Sequence, residues 1–546
     1  MAKNILQIDP HDNVLVALQS LPQGTTVEWA GDTITLTETI PAKHKFFIRD
    51  MAAGDEIFMY GVLVGRLLVP AAKGSRMSTD NTGHAAQPYS WKDPHFEWTA
   101  PPIEEFSART FNGYHRSNGE VGTANYWLFI PTVFCENRNL DVIREVLHNE
   151  LGYSNTRPYR DFTRLLLDAY KEGEEGREIS FDPSAIPVTE RPFKNVDGIK
   201  FLNHNGGCGG TRQDSDTLGR LLAAYATHPN VGGVTVLSLG CQHLQANQLT
   251  EEIHRRDPGF DKPLLVFEQQ QSQDEEAMIR HAITQTFAGL AAINKSERKP
   301  APLSKLVVGV KCGGSDGFSG ISANPAVGYT ADLLVALGGK VLLAEFPELC
   351  GAEQDILDRC NDENSASRFI NLMETYDAQA RQAGSGFYMN PSPGNIRDGL
   401  ITDAIKSAGA AKKAGSSPVV DVLDYTEPAT RAGLSLVCTP GNDVEATTGK
   451  AAAGATLILF TTGLGTPTGN PVTPVIKVSS NTTLAKKMPG IIDINTGDII
   501  EGTSTIEEKG REILEYCIRV ASGETIPKAV TLNQDDFIPW KRGVSL

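Results

Sequence analysis

Residues 306–325 read LVVGVKCGGSDGFSGISANP. An apolar, β-branched run from Leu306 to Val310 breaks abruptly into Lys311, Cys312, Gly313, Gly314, Ser315, Asp316 and Gly317. That pattern predicts a buried strand feeding a tight loop. A cation, a thiol, a hydroxyl and a carboxylate thereby share one strand end. In open α/β sheets ligands bind beyond the carboxyl ends of strands, which makes this loop a candidate site. The plainer alternative is an ordinary Gly-rich βα turn.

The same grammar recurs on both sides. IKFLNHNGGCGGTRQDSDTLGRLLAAYATH (199–228) reads as strand, Gly-rich turn and helix, and VGGVTVLSLGCQHLQ (231–245) as strand and Gly-Cys turn. LLVFEQQQ is a further strand, and EEAMIRHAITQTFAGLAAI (275–293) a long helix. KVLLAEFPELCGAEQ (340–354), LSLVCTPGNDVEATT (434–448) and TLILFTTGLGTPTGN (456–470) each run an apolar strand into a polar loop. Alternation of this kind predicts an α/β fold with mainly parallel sheets. The first 75 residues differ, being short β segments punctuated by Gly, Pro and Asp, which predicts a small all-β domain. The expected layout is residues 1–75 all-β, 76–106 a linker carrying His84 and His95, 107–297 a middle α/β domain, and 298–546 a Rossmann-like α/β domain. Residues 154–195 read as a polar surface excursion.

The chain has 546 residues, too many for one core. A net charge of −16 argues against nucleic acid and anionic membranes as partners, since both reward basic surfaces. An anionic substrate would need a local positive pocket. No apolar run reaches the ~18 residues that span a bilayer and no signal peptide is evident, so a cytoplasmic enzyme is expected. Of eight cysteines, Cys208, Cys241 and Cys312 each adjoin glycine after an apolar run; the other five read as core or incidental. There is no Walker loop, dinucleotide fingerprint, CxxC pair or G-x-S-x-G elbow. Histidine, thiols, carboxylates and lysines on strand-end loops remain. Such a set suits metal-assisted removal of a proton next to a carboxylate.

CGGSDGFSGISANP, FPELCGAEQ, NPSPGN, KAGSSPVVDVL and PGNDVEATT together resemble the altronate/galactarate dehydratase family. PAKHKFFIRDMAAGDEIFMYG resembles that family's SAF-like (β-clip) domain. The resemblance implies a sugar-acid hydro-lyase, D-altronate being the best single substrate and iron(II) the expected metal, with manganese as an alternative. It also implies a set of site residues: His44, His204, Cys312, Ser315, Asp316, Glu345, Glu348 and Lys413 for catalysis. Lys45, Arg212, Asn395, Asn442 and Asp443 would bind substrate. His44, His84, His204, Cys208 and Cys241 would serve as metal ligands, and an iron–sulfur cluster on Cys208, Cys241 and Cys312 is a second cofactor expectation. A homodimer and a SAF-like lid over the strand ends are expected as well. Against the family pattern, Ser78, Thr79, Asp80 and Asn81 replace a His-x-His-Asn run. Ala124 replaces an arginine, and Gly409-Ala410 stands for a Gly-Cys pair. Galactarate or another sugar acid, sulfolactate, or binding without turnover are the alternatives for function.

Overall fold

The computed structural model describes all residues except 1–3, 93–95, 175–177, 181, 183–189 and 546, so His95 lies outside the described residues. Two compact units emerge: residues 1–113 with 299–529, and 114–298 with 530–546. No described helix is long and apolar enough to cross a membrane.

The second unit is built on four strands, β1 (Tyr126–Pro131), β2 (Gly198–Phe201), β3 (Val231–Ser238) and β4 (Leu264–Glu268). Their order is β2-β1-β3-β4 and every pairing is parallel. β1 and β3 are buried along their whole length, as strands covered on both faces must be. Trp127, Phe129, Leu140, Ile143 and Phe201 share the core with Leu290 and Ile293. α1 (Asn137–Glu150), α2 (Arg157–Lys171), α3 (Arg212–Thr227) and α4 (Glu275–Ile293) are its longest helices. α2 occupies part of the stretch expected to be irregular. It buries none of its residues, although Phe162, Leu165, Leu166 and Ala169 recur at helical spacing along it.

In the first unit, seven strands form one parallel sheet: β5 (Val307–Cys312), β6 (Lys340–Leu343), β7 (Val419–Leu423), β8 (Gly433–Val437), β9 (Leu457–Thr462), β10 (Val475–Ser479) and β11 (Ile494–Asn495). The order is β7-β8-β6-β5-β9-β10-β11. β5, the strand at residue 307, is therefore central, as its unbroken apolar run requires. α5 (Ala323–Ala336), α6 (Asp403–Ala411) and α7 (Asp443–Ala452) pack around it.

The N-terminal segments form small antiparallel sheets, as expected of the SAF-like domain. Thr82–Gly83 pairs with the strand Val62–Leu67, so this domain runs beyond residue 75 into the stretch expected to be linker. One continuous core joins Phe47, Met59, Tyr60 and Val64 to Phe318, Ile321, Leu400, Ile401 and Ile405. The SAF-like domain, expected as a lid over the strand ends, is joined by shared apolar packing to the segments at 318–321 and 400–408. Gly320 makes room for it: a Cβ there would lie 2.2 Å from the Tyr60 hydroxyl. Gly320→Val should destabilise the protein by about 1–3 kcal/mol through overpacking, read as a lower urea midpoint.

Candidate active site

From β5 the chain passes to β6 on one side and later returns to β9 on the other. That reversal opens a crevice at the carboxyl end of β5. A cleft of about 400 Å³ lies there. Gly313, Gly314 and Ser315 line it from the β5 loop, and Glu348 lines it from the loop after β6. Asn390, Ser392 and Asn395 contribute another wall, Lys406 comes from α6, and Gly441, Asn442 and Asp443 lead into α7.

Beneath the cleft sits a buried network of lysines and carboxylates. Lys311 contacts the Glu345 carboxylate directly and lies 2.8 Å from Asp443. Lys413 approaches Glu345 at 3.4 Å and Lys450 at 3.7 Å. Lys406 pairs with Glu348 at 3.0 Å and donates to Asn390 Oδ1 at 2.7 Å. The Cys312 thiol lies 3.5 Å from Glu348 and accepts from Lys413 at 3.3 Å. Glu345 holds its place with a backbone φ of 70°, the left-handed region that a non-glycine residue adopts at a cost.

The electrostatics follow from crowding opposite charges in a dry place. Burial would push Glu348 up, but Lys406, Lys311 and Lys413 outweigh it and hold the carboxyl at about 2. Burial would lower Lys311 too, but Glu345, Asp443 and Glu348 hold it well above its ordinary value. Lys450, fully buried with no hydrogen-bond partner for its ammonium, is pushed down to about 8 by burial, against the pull of Glu345. Burial raises the Cys312 thiol, with Lys413 opposing. Four lysines (311, 406, 413, 450) thus face three carboxylates (345, 348, 443). Lys406 is the one that borders the cleft, so the excess positive charge is offered there. Glu348 and Asp443 border the cleft too, so the positive balance that an anionic substrate needs comes from the lysines beneath the lining.

The structure therefore gathers Cys312, Ser315, Glu345, Glu348, Lys413, Asn395, Asn442 and Asp443 around one crevice. Several expected roles change. Lys413 was expected among the catalytic groups, but it is fully buried and spent on Cys312 and Glu345. Lys45 is likewise fully buried, donates to Gly399 O at 2.7 Å, and is pushed down to about 7 by burial. Asp316 is an anchor: it pairs with Lys43 at 3.0 Å and accepts from Ser319, Ser480 and Asn481. Asn395 donates to Ser315 O at 2.8 Å and accepts from Ser392, so its amide shapes the wall. His44 touches Arg397 O at 3.1 Å through Nε2, and its Nδ1 is buried without a partner. Burial lowers its pKa.

His204, Cys208, Cys241 and Arg212 belong to the other unit and do not line this cleft. His204 is not free to ligate or to move protons. Nε2 contacts Pro131 O at 2.9 Å and Nδ1 accepts from Gly206 N–H at 3.1 Å, while burial pushes it down to about 4. Arg212 is exposed at the start of α3. Lys406, Asn390 and Ser392 were not anticipated. A lone lysine in DAIKSAGAA, otherwise small and apolar after its first residue, was the signal for Lys406.

Two groups among the described residues bring three metal-ligating atoms within 4.8 Å of one another. Cys312, Glu345 and Glu348 form the first, but lysines already neutralise it, so it does not fit a dication. The second is His84, Cys350 and Asp403. Asp403 is 1% exposed, its carboxylate oxygens meet no N–H or O–H donor and have only the Cys350 thiol beside them, and burial pushes it up to about 8. A buried carboxylate with no cation against it, beside imidazole and thiol, fits a divalent ion such as iron(II).

The comparisons agree with this architecture. Residues 303–545 match the D-galactarate/altronate dehydratase C-terminal domain, 113–294 the D-galactarate dehydratase/altronate hydrolase second domain, and 3–85 the altronate/galactarate dehydratase SAF domain. The chain belongs to the altronate/galactarate dehydratase family. It is 34% identical to an altronate dehydratase of Bacillus subtilis (strain 168) over 100% of both chains. It is 32% identical to an altronate dehydratase of Escherichia coli (strain K12) over 99% of both. A galactarate dehydratase (L-threo-forming) of Escherichia coli (strain K12) is 31% identical over 95% of this chain and 93% of its own. Membership makes the protein a hydro-lyase of the sugar-acid dehydratase type.

Because the folded-state pKa of Glu348 is depressed, its contribution to stability is complete above the ordinary 4.5 and is lost as pH falls toward about 2. Urea unfolding across that window should show the loss. Lys406→Met should lower stability by about 3–5 kcal/mol at neutral pH, because it leaves Glu348 buried and unpaired.

Proposed function

We propose that the protein dehydrates D-altronate to 2-dehydro-3-deoxy-D-gluconate. The observation that carries this reading is the cleft at the end of β5, where Lys406 stands beside a wall of amides and hydroxyls. A carboxylate with a chain of hydroxyls matches that lining, and the likeness to altronate dehydratases over the full chain supports the choice of acid. Lys406 receives the substrate carboxylate, and Asn390 and Asn442 meet the hydroxyls. Asp443, the more exposed of the two carboxylates lining the cleft, takes the proton from C2. Lys311 beside Asp443 and the cations beneath hold the charge that develops as the enediolate forms. Returned to the 3-hydroxyl, the same proton lets it leave as water, and the enol then takes a proton at C3. His84, Cys350 and Asp403 would hold iron(II), which would supply a Lewis acid, and Asp403 stands one helical turn from Lys406.

Anaerobic assay with iron(II), following release of the 2-keto-3-deoxy acid, should favour D-altronate over galactarate and sulfolactate. Asp443→Asn should lower kcat on the order of 10²–10⁴-fold, the usual contribution of a general base. Undiminished turnover in Asp443→Asn, or a preference for another acid, would overturn the assignment.

A further inference from the structure

All three cysteines of the second unit, Cys135, Cys208 and Cys241, stand at one end of one sheet. They follow β1, β2 and β3, which are adjacent in the order β2-β1-β3 and parallel, so the three carboxyl ends lie side by side. All three thiols are exposed, whereas the five in the first unit are buried or half-buried.

Hydrogen bonds tie the three loops together. Phe134 N–H donates to Gly206 O at 3.1 Å, and Asn137 Nδ2 donates to His204 O at 2.9 Å. The ring of His204 spans from Pro131 O to Gly206 N–H. On the other side His243 N–H donates to Gly207 O at 3.3 Å. Gly207, at φ +98°, sits so close to the first loop that a Cβ would lie 2.4 Å from Thr132 O. In the third loop Gln242 accepts from Gly240 N–H at 2.7 Å and donates to Ser238 Oγ at 2.8 Å, pinning the turn that carries Cys241. Beside the thiols Thr132 Oγ1 and Glu136 Oε1 are buried without a hydrogen-bond partner.

Spacing selects the ligand class. One zinc ion with Zn–S bonds of about 2.3 Å would draw its sulfurs to roughly 4 Å apart. These three do not form a set within 4.8 Å among the described residues. A cubane cluster holds its thiolates farther apart and is bound by cysteine sulfur.

We propose that Cys135, Cys208 and Cys241 hold an iron–sulfur cluster through three thiolates, leaving one iron without a protein ligand. Assembly releases three thiol protons and takes two iron(II), two iron(III) and four sulfide ions from solution, so no further oxidant is needed. The open iron would accept an oxygen of a hydroxy acid or water. Relative to the cysteine set expected from the sequence, Cys135 takes the place of Cys312, which is 1% exposed and engaged by Lys413.

Anaerobic reconstitution of the full chain with iron(II), iron(III) and sulfide should produce broad visible charge-transfer absorbance and acid-labile sulfide. Cys135→Ser, Cys208→Ser and Cys241→Ser should each abolish or strongly reduce both, with thermal melts confirming that each variant folds. Cys312→Ser and Cys350→Ser should retain them. Iron bound without sulfide, absorbance surviving in all three variants, or a disulfide between two of these cysteines as their only chemistry would each overturn the proposal. The readout is spectroscopic, so failure to dehydrate altronate would leave it standing, and its failure would leave the altronate reading intact.

Discussion

Glu345 is fully buried, adopts a left-handed backbone conformation and touches or approaches three lysines. Each feature is costly alone. Left-handed backbone at a non-glycine residue costs on the order of 1–3 kcal/mol, and a buried unpaired carboxylate costs more. Together they are consistent, because the left-handed turn brings the carboxylate against Lys311 at the end of β5. The same contact keeps Lys311 charged, and Lys311 also pairs with Asp443 at the mouth of the cleft. The strand end, the cleft and the helix that begins at Asp443 are thereby linked through one ion pair.

Around this centre, neighbouring groups divide into those that hold the crevice and those that face it. Asp316 and Asn395 were singled out as reacting or binding groups, yet their polar atoms are spent on Lys43, Ser480, Ser315 and Ser392. Lys43, His44 and Lys45 meet Asp316 or residues 397–399, and the shared core behind them fixes the SAF-like domain there. The cleft is left with one exposed-side ammonium, two carboxylates and several amides. That is a lining suited to a small hydroxylated anion.

The altered family positions fall outside this arrangement or reinforce its packing. Asp80 lies in an exposed turn that Asn81 closes by accepting from Ser78 N–H at 2.9 Å. Ala410 is buried on α6 next to Gly409, whose amide oxygen accepts from Asn324. His84 stands with Cys350 and Asp403, so an imidazole that could ligate a metal lies a few residues beyond the replaced His-x-His-Asn run.

Strand–loop–helix alternation was plain in the chain because parallel strands buried on both faces must be continuous apolar runs, and their loops must carry the polar groups. The same logic marked Cys312, Ser315, Glu345, Glu348, Asn442 and Asp443 as strand-end residues before any pairing was known. Strand order was not legible, since hydrogen bonds between parallel strands leave no mark on residue type. Only that order makes β5 central and sets the loops after β6 and β8 beside its end. It also groups Cys135, an unremarkable residue in VFCEN, with Cys208 and Cys241, and separates Cys312 from them. Lys406 reached the site in the same way: its helix is placed by packing against the SAF-like domain, and the lysine became a cleft residue only when Glu348 was brought to meet it.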